Sequence, residues 1–168
     1  MRSITFISAL CVAGTAMAQD GPMPGCYARE YSQAHLDAHP DQVARSLTMM
    51  IHDQQDGEFM TRFAYLLVDF ANQGHVKRDG HGAQTLDQQL ICFNTRDGRQ
   101  GCGVECDGGS FIVTDQTDAT LTIATETLWV GETEDCGGAI DLAEIPGQQV
   151  KYRLNRVAMD TCLARVEN

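Results

Sequence analysis

Short runs of alternating apolar and polar residues constrain this chain more than any other feature of its sequence. Apolar side chains between Val43 and His52 share one face, and residues 59–70 form a second run with apolar residues on both faces. Together the two runs predict a long hairpin. Further strand-like runs lie at 86–93, 103–106, 110–114, 120–125, 127–130, 139–145 and 150–157.

Turn residues separate these runs roughly every 8–12 positions, which is typical of antiparallel barrels and sandwiches. No helical period long enough for a crossover between parallel strands is present. We therefore predict an all-β fold, a small antiparallel barrel or sandwich of about eight strands, stapled by disulfides.

One short N-terminal helix is predicted over residues 33–38. The hydroxyl of Ser32 can accept a backbone N–H of the first turn. The helix should stop by His39, because the residue before Pro40 is pushed out of the α region. The glycine-rich segment 71–85 is predicted to be the longest loop.

The N-terminus is typical of an export signal. Arg2 precedes a short apolar run, and Ala16-Met17-Ala18 has the small-x-small pattern that signal peptidase cuts. We predict a signal peptide over 1–18, a flexible lead-in over 19–25 and a single β domain over 26–168. The location should then be periplasmic or secreted.

Six of the seven cysteines follow the predicted signal peptide: Cys26, Cys92, Cys102, Cys106, Cys136 and Cys162. An even number in an exported chain indicates three disulfides rather than a metal site. Fifteen pairings of six cysteines are possible. The predicted order of the strands favours one of these fifteen pairings. It joins Cys26 to Cys162 across the chain ends, Cys92 to Cys106 across a turn, and Cys102 to Cys136 along the next hairpin.

The formal net charge of −11 limits the class of partner. Removal of the signal peptide with Arg2 makes it −12, so nucleic acid and anionic lipid should be repelled. No apolar run is long enough to span a membrane. The expected partner is an unidentified protein or small ligand.

Two histidines four residues apart, His35 and His39, are the candidate metal ligands, since that spacing places two side chains on one helical face. Pro40 interrupts the turn that would carry His39, and the spacing supplies no carboxylate ligand. His75 and His81 lie in the glycine-rich segment and are further candidates. No nucleophile elbow or other catalytic pattern is present, so no catalytic residue and no cofactor are predicted.

The segments CYAREYSQAHLDAHPDQ, GCGVECDGGSF and YRLNRV followed by a cysteine resemble a group of small exported bacterial proteins of unknown function. The resemblance implies a secreted, disulfide-bonded domain and no particular activity. We expect a binding or inhibitor-like module rather than an enzyme. The alternative is a periplasmic metal-binding or hydrolytic protein that uses His35, His39 and either His75 or His81.

Overall fold

The computed structural model describes residues 21–131, 133 and 138–166. Within these residues the chain forms nine strands and three short helices. In chain order these are β1 (Gly25–Glu30), α1 (Gln33–Ala38), β2 (Ala44–Asp56), β3 (Phe59–Phe70), α2 (Gly74–Arg78), β4 (Thr85–Asn94), β5 (Gln100–Gly103), β6 (Gly109–Gln116), β7 (Thr120–Val130), β8 (Ile140–Asp141), β9 (Val150–Val157) and α3 (Met159–Val166).

Eight of the strands form a closed antiparallel barrel, which confirms the predicted fold class and decides between barrel and sandwich. Strands β1 to β7 pair consecutively, β7 then pairs with β9, and β9 returns to β1. The two-residue strand β8 is an extra partner of β7. Closure leaves few free strand edges, which lowers the risk of pairing with other chains.

Inward-facing side chains fill the barrel. The largest fully buried ones include Tyr27, Phe70, Phe111 and Tyr152, which come from different strands. They pack with aliphatic residues of β2, β3, β4, β7 and β9 in one core. Buried aromatic side chains of this size contribute much of the hydrophobic stabilisation of a small domain.

The barrel has two distinct ends. The helix end is formed by α1, α2 and the connection between β8 and β9 (142–149). The arm end is formed by residues 21–24 and the turns at 57–58, 95–99 and 117–119. The third helix, α3, contacts the outside of β1 and β2.

Helix α1 has the predicted boundaries and the predicted cap. The Ser32 hydroxyl accepts the backbone N–H of His35 at 3.2 Å, and the helix ends at Ala38. The side-chain amide of Gln73 donates to the carbonyl oxygens of Leu36, His39 and Gln42. A residue that directly precedes α2 thus donates to carbonyls in and just after α1.

Several local predictions were wrong. The segment predicted as a loop contains α2, and α3 follows β9 without having been expected. The strand predicted at 103–106 lies three residues earlier, as β5, and Cys106 instead sits in a turn with φ of 61°. The runs at 120–125 and 127–130 form one strand, β7, and only Ile140 and Asp141 of the run at 139–145 are in a strand.

The Cys26–Cys162 disulfide has the predicted pairing and joins β1 to α3 across 136 residues of sequence. The predicted pairs Cys92–Cys106 and Cys102–Cys136 are wrong, because Cys92 is bonded to Cys102. These two residues lie directly opposite each other on β4 and β5, with Cα atoms 3.9 Å apart. Cys106 is also disulfide-bonded. Cys136 lies outside the described residues.

The predicted signal peptide over 1–18 lies outside the described residues. The disulfides fit an exported protein, because such bonds persist in oxidising compartments.

Candidate functional site

The helix end brings together the four histidines that the sequence singled out. His35 and His39 lie in and directly after α1, His75 lies in α2, and His81 lies in the connection to β4. They form two groups on either side of the β8–β9 connection. The remaining histidine, His52, lies on β2, where its ring stacks on Phe63.

The rings of His35 and His39 are stacked, with centroids 4.1 Å apart and planes 19° apart. The Nε2 atom of His35 is 2.9 Å from Oε1 of Gln42, whose amide group donates to the carbonyl of Ala44. This orientation makes Oε1 an acceptor, so Nε2 of His35 carries a proton. Nδ1 of His39 donates to the carbonyl oxygen of His35 at 2.8 Å.

This geometry is unfavourable for a shared metal ion. A histidine ligand holds a metal in the plane of its ring, along a nitrogen lone pair. Two nearly parallel, stacked ring planes do not meet at a common ion. In the part of the chain that the structure describes, no group of three or more histidine, cysteine or acidic side chains could hold a metal.

Glu144, on the β8–β9 connection, belongs to the same group as the stacked histidines. Burial raises the pKa of its carboxyl, and the nearby carboxylate of Asp41 raises it further, against the opposing effect of His39 and His35. The ring of Tyr31 extends the stack at 4.9 Å from His35, beneath the guanidinium of Arg29. The stack therefore holds α1 against the barrel rim.

The second group surrounds a small cavity between α2 and β8. His75 is buried, and its Nε2 donates to the carbonyl oxygen of Ala143 at 3.0 Å. Its Nδ1 lies 3.6 Å from a carboxylate oxygen of Asp79. The cavity has a volume of about 140 Å³, and His81 and Trp129 also line it. His75 thus connects α2 to the β8–β9 connection.

At the arm end the predicted β2–β3 hairpin has a feature that the sequence did not predict, because it projects beyond the barrel. The β1–β2 ladder ends at Gly25 opposite Ile51, and the β3–β4 ladder ends at Phe63 opposite Ile91. Strands β2 and β3 continue to pair with each other as far as Asp56 opposite Phe59. We call residues 52–62 the arm. Five residues of extended strand correspond to a length of ~17 Å.

A partly buried ion pair holds the base of the arm. Arg62 donates from Nε and Nη2 to the two carboxylate oxygens of Asp53, at 2.7 and 3.1 Å. Its Nη1 donates to the carbonyl oxygens of Gly21 and Pro22. Gly21 in turn donates its backbone N–H to the side chain of Asn94, at the end of β4. The arm is therefore joined to the barrel through the segment that precedes β1.

The tip of the arm presents large apolar side chains to solvent. Phe59 is 78% exposed and Met60 is 53% exposed. Glu58 is also exposed, and the side-chain amide of Gln55 donates to the carbonyl of Gly57. Gly57 has a φ of 60°, as expected of the first position in a two-residue type II′ hairpin turn. The tip combines a defined backbone with an unburied aromatic ring.

The two predicted strand runs stop at His52 and resume at residue 59, which implies a turn over residues 53–58, whereas only Gly57 and Glu58 form the turn. Polar residues 53–56 lie in β2 without an apolar face because this part of the strand has no core to pack against. The Asp-Gly dipeptide, which is typical of tight hairpin turns, is the sequence signal that could have located the turn at Gly57.

No known protein family, curated protein or solved structure matches this chain. Among the described residues, no helix is long and apolar enough to cross a membrane.

Proposed function

We propose that this chain is an exported, non-enzymatic module, periplasmic or secreted, that binds another protein through the arm. The exposure of Phe59 at the tip of a projecting hairpin is the observation that supports this function most. Aromatic side chains are enriched among the residues that dominate protein–protein binding energies. Burial of one such side chain in a partner contributes roughly 1.5–3 kcal/mol.

The contacts that fix the base of the arm support the same proposal. A binding element that is already ordered loses less conformational entropy on association, so more of the contact energy remains as affinity. The Arg62–Asp53 pair and the cross-strand ladder supply this order before any partner binds. A narrow hairpin can also enter a cleft of the partner protein and block it. This is why we include an inhibitor-like role in the proposal.

Immobilised mature protein tests this function in periplasmic extract and culture medium. We expect a protein to be retained by the wild type and by Leu163→Ser, but not by Phe59→Ser or Met60→Ser. Leu163 is the matched control because it is 44% exposed on α3, away from the arm. Loss of a central aromatic contact costs about 2 kcal/mol, or roughly 30-fold in Kd. Equal retention by the wild type and the arm variants would contradict the proposal, provided that their melting temperatures agree.

A second candidate function rests on the presence of four histidines at one end of the barrel. A metal-binding or hydrolytic protein would use His35, His39 and either His75 or His81. The stacked rings of His35 and His39 disfavour a shared metal ion, so we place this function second. Elemental analysis of protein purified without a histidine tag distinguishes the two. Stoichiometric zinc or copper that is lost in His35→Ala would replace the leading proposal with this one.

A further inference from the structure

The charge of the arm indicates what kind of protein it binds, an inference that rests on the proposed function. Residues 54–61 read QQDGEFMT and include two acidic residues and no basic residue. The only lysine or arginine of the arm, Arg62, is 8% exposed and is paired with Asp53. The apolar tip is therefore presented in an acidic setting, and Glu58 directly precedes Phe59.

The whole molecule has the same sign of charge. Its formal net charge of −11 generates a long-range attraction towards cationic partners and a repulsion from anionic ones. A partner with an acidic surface would meet both the general repulsion and the local charge of Glu58. An aromatic ring needs an apolar pocket to be desolvated, and a nearby carboxylate needs a basic group at the edge of that pocket.

We propose that the partner is a basic protein with an apolar cleft edged by lysine or arginine. Phe59 enters the cleft, and Glu58 contacts the basic edge. Met60 points to the opposite face of the strand from Phe59 and packs against the outer lip of the cleft. A lipid surface is the competing occupant for an exposed aromatic tip, and the negative charge of the chain disfavours anionic membranes.

Site-specific photo-cross-linking tests the inference in the full-length chain. Phe59 is replaced by p-benzoylphenylalanine in the cells that produce the protein, with the same replacement at Leu163 as the control. Mass spectrometry then identifies the cross-linked peptide. We expect a cross-link from position 59 to an apolar residue of a protein that is net positive at neutral pH, with lysine or arginine beside that residue. The partner is then purified for binding measurements.

Charge reversal at the tip supplies the second measurement. We expect Glu58→Lys to weaken binding of the purified partner on the order of tenfold, since one exposed attraction becomes a repulsion. Glu105→Lys is the matched control, because it makes the same charge change in the β5–β6 turn and should leave the affinity nearly unchanged. Added salt should reduce the difference between the two variants.

The possible failures are distinguishable. The absence of any cross-link from position 59 would overturn both the proposed function and this inference. A cross-link to an acidic or neutral protein, or equal affinities of Glu58→Lys and Glu105→Lys, would overturn the inference alone. A cross-link to lipid would show that the arm inserts into a membrane and would overturn both.

Discussion

At the scale of single residues, two partly buried carboxyl groups have pKa shifts of opposite sign. Burial alone would raise the pKa of Asp69, but hydrogen bonds from Ser46, Thr85 and Arg165 outweigh burial and lower it. Burial raises the pKa of Glu144, to which the described part of the chain supplies no comparable set of donors. The two groups should therefore contribute to stability in different pH ranges.

Asp69→Asn should lower the free energy of unfolding by about 1–3 kcal/mol at pH 7, because Ser46, Thr85 and Arg165 lose a charged acceptor that is itself largely buried. A carboxyl with a lowered pKa in the folded state stabilises above its ordinary pKa, and this contribution is lost as pH falls through the folded value. The deficit of the variant should therefore shrink below about pH 4. Urea unfolding at pH 7, 5 and 3 measures it, and a deficit independent of pH would contradict the assignment.

Glu144→Gln should have the opposite effect on stability at pH 7. A carboxyl with a raised pKa in the folded state contributes stability below its ordinary pKa, and the contribution is lost as pH rises through the folded value. The variant should match the wild type near pH 4 and exceed its stability at pH 7. The same urea series tests this, and a variant less stable than the wild type at pH 7 would refute it.

At the scale of elements, α3 is held on the barrel by covalent and ionic contacts. The Cys26–Cys162 disulfide joins the start of β1 to the middle of α3. Arg165, one turn further along α3, donates to Asp69 at 2.8 Å. The sulfur of Cys162 is fully buried between the helix and β2, near the carbonyl of Met49.

The double variant Cys26→Ala with Cys162→Ala should lower the melting temperature by many degrees. Cross-linking across 136 residues stabilises by up to ~5 kcal/mol in the chain-entropy model. The pair Cys92→Ala with Cys102→Ala is the control, because a separation of 10 residues gives only ~3 kcal/mol in that model. Calorimetry of both variants compares them. A larger loss in the control pair would show that chain entropy does not dominate.

At the scale of the whole molecule, disulfides account for all the cysteines that the structure describes. Cys26, Cys92, Cys102, Cys106 and Cys162 are each disulfide-bonded. Thiol titration of the denatured, unreduced mature protein should therefore give almost no signal. Mass mapping of its digest should recover Cys26 with Cys162 and Cys92 with Cys102. Two or more reactive thiols per chain would contradict three disulfides in the mature protein.

The sequence by itself determined features that depend on neighbours along the chain. Alternating apolar and polar residues predicted strands β2 and β9, because side chains on a strand point to opposite faces. A run with apolar residues on both faces predicted β3. Ser32 and Pro40 predicted both ends of α1, since a cap and a proline act within one turn. The Cys26–Cys162 pair followed from the expectation that the first and last strands of a barrel are neighbours.

Only the tertiary structure decided which residues meet and which project. The register of β4 against β5 placed Cys92 opposite Cys102, and register depends on turn geometry that cysteine spacing does not encode. Closure of the barrel brought His35, His39 and His75 to one end, although α1 and α2 are far apart in sequence. The arm exists because the β2–β3 ladder continues beyond the ladders on either side. That part of the hairpin covers no core, so its residues do not alternate between apolar and polar. The sequence pattern therefore indicates a turn there, and only the positions of the neighbouring strands show that the residues belong to β2.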